Sequence, residues 1–161
     1  MITGADRTGP AAGGAEMAYH RMSEAEVRDF LERDPARPAI LGTTRKDGRP
    51  HLAPMWYALD SDGSICFNTG ADTLKGRTLR RTGYAVLTVQ DDRPPFSFVT
   101  VQGPVELVDD LEQVRRWAGM IGGRYMGADR AGEYAARNGV PGELLVRLRV
   151  NHTVSAADVA D

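Results

Sequence analysis

Between Phe67 and Arg81 the chain reads FNTGADTLKGRTLRR: an apolar run closes in small polar residues and a glycine, and a basic helix follows. A helix that starts directly after such a loop leaves its first backbone N–H groups unpaired and carries partial positive charge there. Thr69, Thr73 and the Gly70 backbone stand where an oxyanion can be held, and Lys75 and Arg77 add charge beside them. Arg80 lies one helical turn beyond Arg77, so a single groove could be shared. The chemistry on offer is capture of a phosphate. The same residues also describe a capped surface helix with its cations in water, the commoner fate of a charge run.

A second stretch, PHLAPMWYAL (residues 50–59), has a strand pattern interrupted by Pro54, which cannot donate a ladder hydrogen bond. A bulge or ladder end there would expose backbone groups of Ala53 and Met55. Such groups suit the edge of a flat heterocycle, and Trp56 and Tyr57 offer aromatic surface nearby. An edge strand with core aromatics accounts for the pattern equally well.

Other chemistries find little support. His20, His51 and His152 are far apart and lack the Cys or His spacing of a zinc site, so no metal is expected. His51 follows Pro50 on the aromatic strand and borders the candidate pocket at most. Cys66, between Ile65 and Phe67, reads as a small buried side chain. No G-x-S-x-G elbow occurs, and no G-x-G-x-x-G follows a strand. Trp117, Met120 and Met126 read as helix packing, and Arg147 and Arg149 as solvated.

The elements that must hold these residues form a β-meander with few helices. Ser23 to Glu26 has capping-box spacing, and Val27, Phe30 and Leu31 mark one face of a helix that stops at Asp34-Pro35. Strands are expected at PAILGTTR, PHLAPMWYAL and SICFNT, joined by the turns KDGR and DSDG. After the basic helix come YAVLTVQ and then FSFVTVQGPVELV, with a bend near Gly103-Pro104. Asp109 with Glu112 is expected to open a helix carrying Val114, Trp117 and Ile121 inward, and a shorter helix ends at Asn138-Gly139. ELLVRLRV is the sixth strand. Six mostly antiparallel strands with peripheral helices predict a mainly β fold, a small barrel rather than a doubly wound sheet.

At 161 residues the chain suits one domain over residues 21–161, with residues 1–20, rich in glycine and proline, read as a disordered extension. A net charge of −2 offers no global basic field for nucleic acid or an anionic membrane. No apolar run approaches the ~20 residues of a membrane helix, and no secretory start is visible. One cysteine fits a reducing cytoplasm. Arginine outnumbers lysine 18 to 2, a composition typical of GC-rich genomes and actinobacterial in character.

The order and spacing of DGRPHLAPMWY, FNTG, K-x-R followed by L-R-R, and VQGPVEL resemble the pyridoxamine 5′-phosphate oxidase-like flavin and deazaflavin oxidoreductases, over roughly residues 23–155. That resemblance implies a six-stranded antiparallel split barrel that binds coenzyme F420 or, alternatively, FMN. It assigns Lys75 to the cofactor phosphate, Arg77 to the same groove, and Thr69 to the strand end beside the ribityl-phosphate. It assigns Ala53, Pro54, Met55 and Trp56 to the strand lining the ring. It further implies a homodimer with cofactor sites at the subunit interface, and hydride transfer to a small unsaturated or quinone-like substrate. A non-catalytic carrier of the same cofactor is the alternative from another class.

The chain departs from relatives that use the deazaflavin at Thr73, Thr78 and Thr82-Gly83, where an arginine, an asparagine and an Asp-Pro or Asn-Pro are common. The C-terminal VNHTVSAADVAD also lacks the arginine-rich segment of vitamin B6 oxidases, so oxidation of that vitamer is not expected.

Overall fold

The computed structural model describes residues 20–161. Disorder expected over residues 1–20 therefore lies outside the described residues, apart from His20, whose backbone bridges to Ala157 through bonds of 3.2 and 2.9 Å. Seven strands have five residues or more: β1 (Ala39–Thr44), β2 (Pro50–Met55), β4 (Ile65–Gly70), β5 (Tyr84–Asp91), β6 (Ser97–Val108), β7 (Glu143–Leu148) and β8 (His152–Ala156). A two-residue β3 (Ala58–Leu59) makes eight among the described residues. Among the described residues four α-helices surround them, α1 (Glu24–Glu32), α2 (Leu74–Thr82), α3 (Leu111–Met126) and α4 (Ala131–Asn138), with a short 3-10 turn at Ala128–Arg130. Among the described residues no helix is long and apolar enough to cross a membrane.

The strands run β2-β1-β5-β6-β7-β4-β3 in one antiparallel, curled sheet, and β8 pairs with β6. Mainly β architecture with peripheral helices is thus as the sequence predicts, but the count of six strands is corrected for two reasons. The expected second strand is broken: residues 50–55 pair with β1 and residues 58–59 with β4. Trp56 and Tyr57 carry the chain from one free edge of the sheet to the other, so two residues close the barrel where no ladder does. The second addition is β8, a short polar segment that pairs with residues 98–102 of β6.

β6 joins the two halves. Its residues 97–104 pair with β5 and residues 105–108 with β7. The change of partner falls at Gly103-Pro104, where the bend was expected. Gly103 is required there, because a Cβ would run into the Arg149 carbonyl.

Inward positions of both halves form the main core, including Leu41, Tyr57, Phe67, Leu87, Val99 and Leu148. Burying each such side chain contributes about 1.5–3 kcal/mol. Leu79 of α2 is also in that core, so α2 caps one mouth of the barrel. A smaller cluster of Cys66, Val114, Trp117, Ile121 and Leu145 seats α3 on the outside of β4 and β7.

The local signals are visible in the caps. Ser23 Oγ accepts from the Glu26 N–H at 3.3 Å while the Glu26 carboxylate accepts from the Ser23 N–H at 2.7 Å, a complete capping box. For α3 the cap is Asp110, not Asp109, and it accepts from the Gln113 N–H at 2.9 Å. Arg147 is a second correction: it pairs with Asp60 and its guanidinium lies 5.3 Å from the Trp117 ring centre. The face of β7 it occupies is covered by α3 rather than water. Arg149 is exposed as expected, 3.1 Å from Glu106.

Candidate functional site

Two features of the molecule fit a ligand, and they are joined along β2. The first is a cleft of about 300 Å³ where the end of β2 meets α3. Pro54, Met55 and Trp56 form one wall, Asn68 of β4 the back, and Ile121 and Asn138 the helical side. Trp56 stacks flat on Tyr125, with centroids 5.0 Å apart and planes 4° from parallel, and tilts against Tyr134 at 5.6 Å.

This aromatic wall is held from behind. The Tyr125 hydroxyl donates to the Arg37 carbonyl at 2.9 Å and accepts from the Tyr57 N–H at 3.4 Å. Arg124 donates to the Tyr57 carbonyl at 3.3 Å and the Leu31 carbonyl at 2.6 Å, with its guanidinium 4.8 Å from the Tyr57 ring centre. Tyr57 turns the opposite way from Trp56, into the core, and its phenol donates to the Leu31 carbonyl at 2.7 Å. Burial pushes that phenol up to about 12. It is a latch of the fold and offers the cleft no proton.

Pro54 sits in an unbulged ladder, opposite Ile40. The Arg45 N–H to Arg49 carbonyl bond at the hairpin fixes the phase of that ladder, since opposed pairs alternate between bonded and non-bonded. Counting from it, His51, Ala53 and Met55 bond to β1, and Leu52 and Pro54 turn their backbone groups to the open edge. The proline thus occupies the edge position that needs no donor. The groups freed are those of Leu52 and Pro54, not of Ala53 and Met55 as the sequence suggested. Ala53 stands on the half-buried row of β2, between Met55 and His51.

The second feature lies at the other end of that row. Thr43, 6% exposed, faces His51 across the β1–β2 ladder. Its Oγ1 and the His51 Nδ1 are both buried without a hydrogen-bond partner among the described residues. Unpaired buried polar atoms cost about 1–3 kcal/mol each, so their pairing here points to a polar ligand. Met55 to His51 spans roughly 13 Å of strand.

α2 packs on β1 and β4 at this mouth. Its cap, Thr73, accepts from the Gly76 N–H at 3.1 Å and donates to the Gly70 carbonyl at 2.8 Å. Thr69 is buried, with its hydroxyl 3.2 Å from that of Thr73. It supports the cap rather than facing a ligand directly. Gly76 has no room for a side chain, because a Cβ would strike the Gly70 and Ala71 carbonyls.

The three basic residues do not converge on one groove. Lys75 is half-buried at the start of α2 and acts on the Glu143 carboxyl across from it. Arg77 folds back to donate to the Asp72 carbonyl. Arg80 lines a separate cavity of about 340 Å³ with Ala71, Asp109, Val140 and Glu143.

Sequence reasoning missed Arg124, Tyr125, Tyr134, Asn68 and Glu143. Tyr125 could have been found, since it falls four residues after Ile121 on the same helical stripe. Glu143 is placed by its pairing with Gly70 across the sheet, which no local pattern reveals. Cys66 is buried as expected, and burial pushes its thiol up to about 12. Among the described residues no group of three or more His, Cys, Asp or Glu could hold a metal.

A flat aromatic wall, an open strand edge and unpaired polar atoms at a helix-capped mouth fit an elongated ligand with a ring at one end and an anion at the other. The curled antiparallel sheet with its peripheral helices is that of a split-barrel protein. The pyridoxamine 5′-phosphate oxidase family profile matches residues 23–154, and the chain belongs to that family. Among solved structures it is similar to a conserved hypothetical protein, Rv2991, of Mycobacterium tuberculosis: 30% identity, 85% of this chain and 86% of that one, TM-score 0.73. It is similar to an F420 reductase at 25% identity, over 78% and 94% of the two chains, TM-score 0.61. A FAD-binding protein of Mesorhizobium loti, 16% identical over 87% and 98% with TM-score 0.64, shares the fold. No curated protein matches the chain.

Proposed function

We propose that this protein is an F420-dependent reductase of small unsaturated or quinone-like compounds. The observation that carries the reading is the half-buried row of β2, which runs from a Trp56-walled cleft to the unpartnered Thr43 and His51. The similarity to an F420 reductase and the family's flavin-binding architecture support it. When bound, the deazaflavin supplies the hydride.

The chain's own residues supply position. The free edge at Leu52 and Pro54 meets the polar rim of a ring, and Met55 and Trp56 hold its face. Thr43, His51 and Lys75 receive the ribityl-phosphate portion, with Arg77 and Arg80 adding longer-range attraction. Asn68 and Asn138 offer amides to a substrate carbonyl within the cleft. Ile121 and the Tyr125-backed indole exclude water from the reacting faces, which must approach to about 3–3.5 Å.

The uncharged outer face of the sheet supports a homodimer formed through it. Pro54, Ile40, Thr88, Thr100 and Val154 form one row across five strands, and Leu52, Gly42, Val86, Gln102 and His152 the next. Neither row contains an Asp, Glu, Lys or Arg, and Leu52 is 67% exposed. A homodimer burying this face sets β2, and hence the cofactor, beside the subunit boundary. A cytoplasmic location accords with the reduced, buried Cys66.

Fluorescence quenching with F420 and with FMN, followed by turnover of F420H2 against enones and quinones, tests the proposal. Micromolar F420 binding with turnover is expected. Binding of FMN alone reassigns the cofactor, and tight F420 binding without turnover of any acceptor makes the protein a carrier.

A further inference from the structure

The hairpin between β1 and β2 carries a cation with nothing to hold. Among the described residues five arginines are half-buried: Arg37, Arg45, Arg124, Arg130 and Arg147. Four of them end on an acceptor. Arg37 lies 2.9 Å from Asp91 and Arg130 2.7 Å from Glu133, Arg147 pairs with Asp60, and Arg124 donates to two carbonyls. Arg45 has no such partner among the described residues, and its buried Nε is left without an acceptor. Asp47, two residues on, is held by Arg49 at 2.8 Å instead.

This orphaned donor has company. Four buried side-chain polar atoms lack a partner among the described residues, and three of them belong to Thr43, Arg45 and His51. Thr43 and His51 are directly opposed in the ladder, with Cα atoms about 5.5 Å apart for a bonded pair. Arg45 follows β1 and keeps its register through the N–H bond to the Arg49 carbonyl at 3.0 Å. It therefore continues the row of Thr43, about 7 Å further along. Arg81, in the last turn of α2, donates to the Thr44 carbonyl between them and brings a second cation to the hairpin.

The three unpaired atoms select a ligand. Arginine Nε only donates, a threonine hydroxyl donates or accepts, and histidine Nδ1 donates in one of its tautomers. One group with several lone pairs satisfies all three, and the guanidinium charge favours an anion over a neutral carbonyl. We propose that Thr43, Arg45 and His51 form a recessed oxyanion site, with Arg45 as its charge-bearing residue, that binds an anionic group of the cofactor. The identity of that ligand rests on the proposed function, to whose phosphate-end residues the site adds Arg45. Two groups have the required chemistry: the phosphate that F420 and FMN share, and the carboxylates of the F420 tail.

The test measures dissociation constants of F420, FMN and riboflavin by fluorescence quenching for the wild type, Arg45→Gln, Arg45→Lys and Arg49→Gln. Thermal melting shows that each variant is folded. Arg49→Gln removes the same charge from an exposed position of the same hairpin, so it reports long-range attraction alone. Arg45→Gln is expected to weaken F420 about tenfold or more and to leave riboflavin, which carries no anion, within about twofold. Arg45→Lys keeps the charge without the planar fork and is expected to recover part of the loss. A loss shared by FMN assigns the site to the phosphate, and a loss confined to F420 assigns it to a tail carboxylate. Affinities for F420 and FMN that are unchanged, or lowered no more than by Arg49→Gln, overturn the inference while leaving the cofactor reading in place. So does a riboflavin loss as large as that of F420. A wild type that binds none of the three overturns both.

Discussion

Replacing Tyr57 by phenylalanine separates two consequences of one buried hydroxyl. The phenol is 1% exposed and donates to the Leu31 carbonyl at 2.7 Å. That carbonyl also accepts from Arg124 at 2.6 Å, so the variant leaves no orphaned acceptor. The cost near neutrality is then that of one ordinary hydrogen bond, about 1 kcal/mol.

At alkaline pH the sign reverses. Unfolded, the phenol loses its proton near pH 10; folded, burial holds it until about 12. Between those values the folded chain binds more protons, so stability falls as pH rises. A shift of two units corresponds to about 2.7 kcal/mol, on the order of the whole effect. Tyr57→Phe escapes that loss, whereas Cys66 and Tyr125, both also raised by burial, act on wild type and variant alike. Urea unfolding from pH 8 to 11.5 is expected to show the variant less stable by about 1 kcal/mol at pH 8 and the two curves crossing near pH 11. Parallel curves would refute the buried-latch assignment.

Further outcomes follow from the site and its supports. Lys75→Ala is expected to weaken F420 binding by about 1.5–3 kcal/mol, read by fluorescence quenching; unchanged affinity moves the phosphate elsewhere. Gly76→Ala drives a methyl group into the Gly70 and Ala71 carbonyls and is expected to cost about 1–3 kcal/mol in urea unfolding. Leu52→Arg places a charge on the neutral outer face and is expected to yield monomers by light scattering, with folding intact. A dimer of unchanged strength would remove that face from the proposed interface.

Local chemistry was the legible part of this chain. The Ser23–Glu26 capping box, the Asp-Gly turn at Lys46–Arg49 and the alternation of β7 are each set by neighbours in sequence, and each stands in the fold. The break between Met55 and Ala58 was not legible, because Trp56 and Tyr57 continue a strand-like composition while the chain changes partners. The shared basic groove failed for a similar reason. Arg77 is captured by the Asp72 carbonyl behind it, and Arg80 lines a different cavity together with Asp109, neither of which helical spacing encodes. Met55 and Trp56 drew attention through the proline-interrupted strand pattern and the family resemblance, but the residues that fix the indole, Arg124 and Tyr125, come from a helix some 70 positions away.

The strand β6 has ladder partners in both half-sheets and in β8, and over residues 98–102 its backbone is paired on both sides. Freeing any of the three neighbours strips bonds from the same twelve residues. Neither half of the barrel can melt by itself, and hydrogen exchange at Val99 and Val101 should therefore report the free energy of losing the entire domain at once.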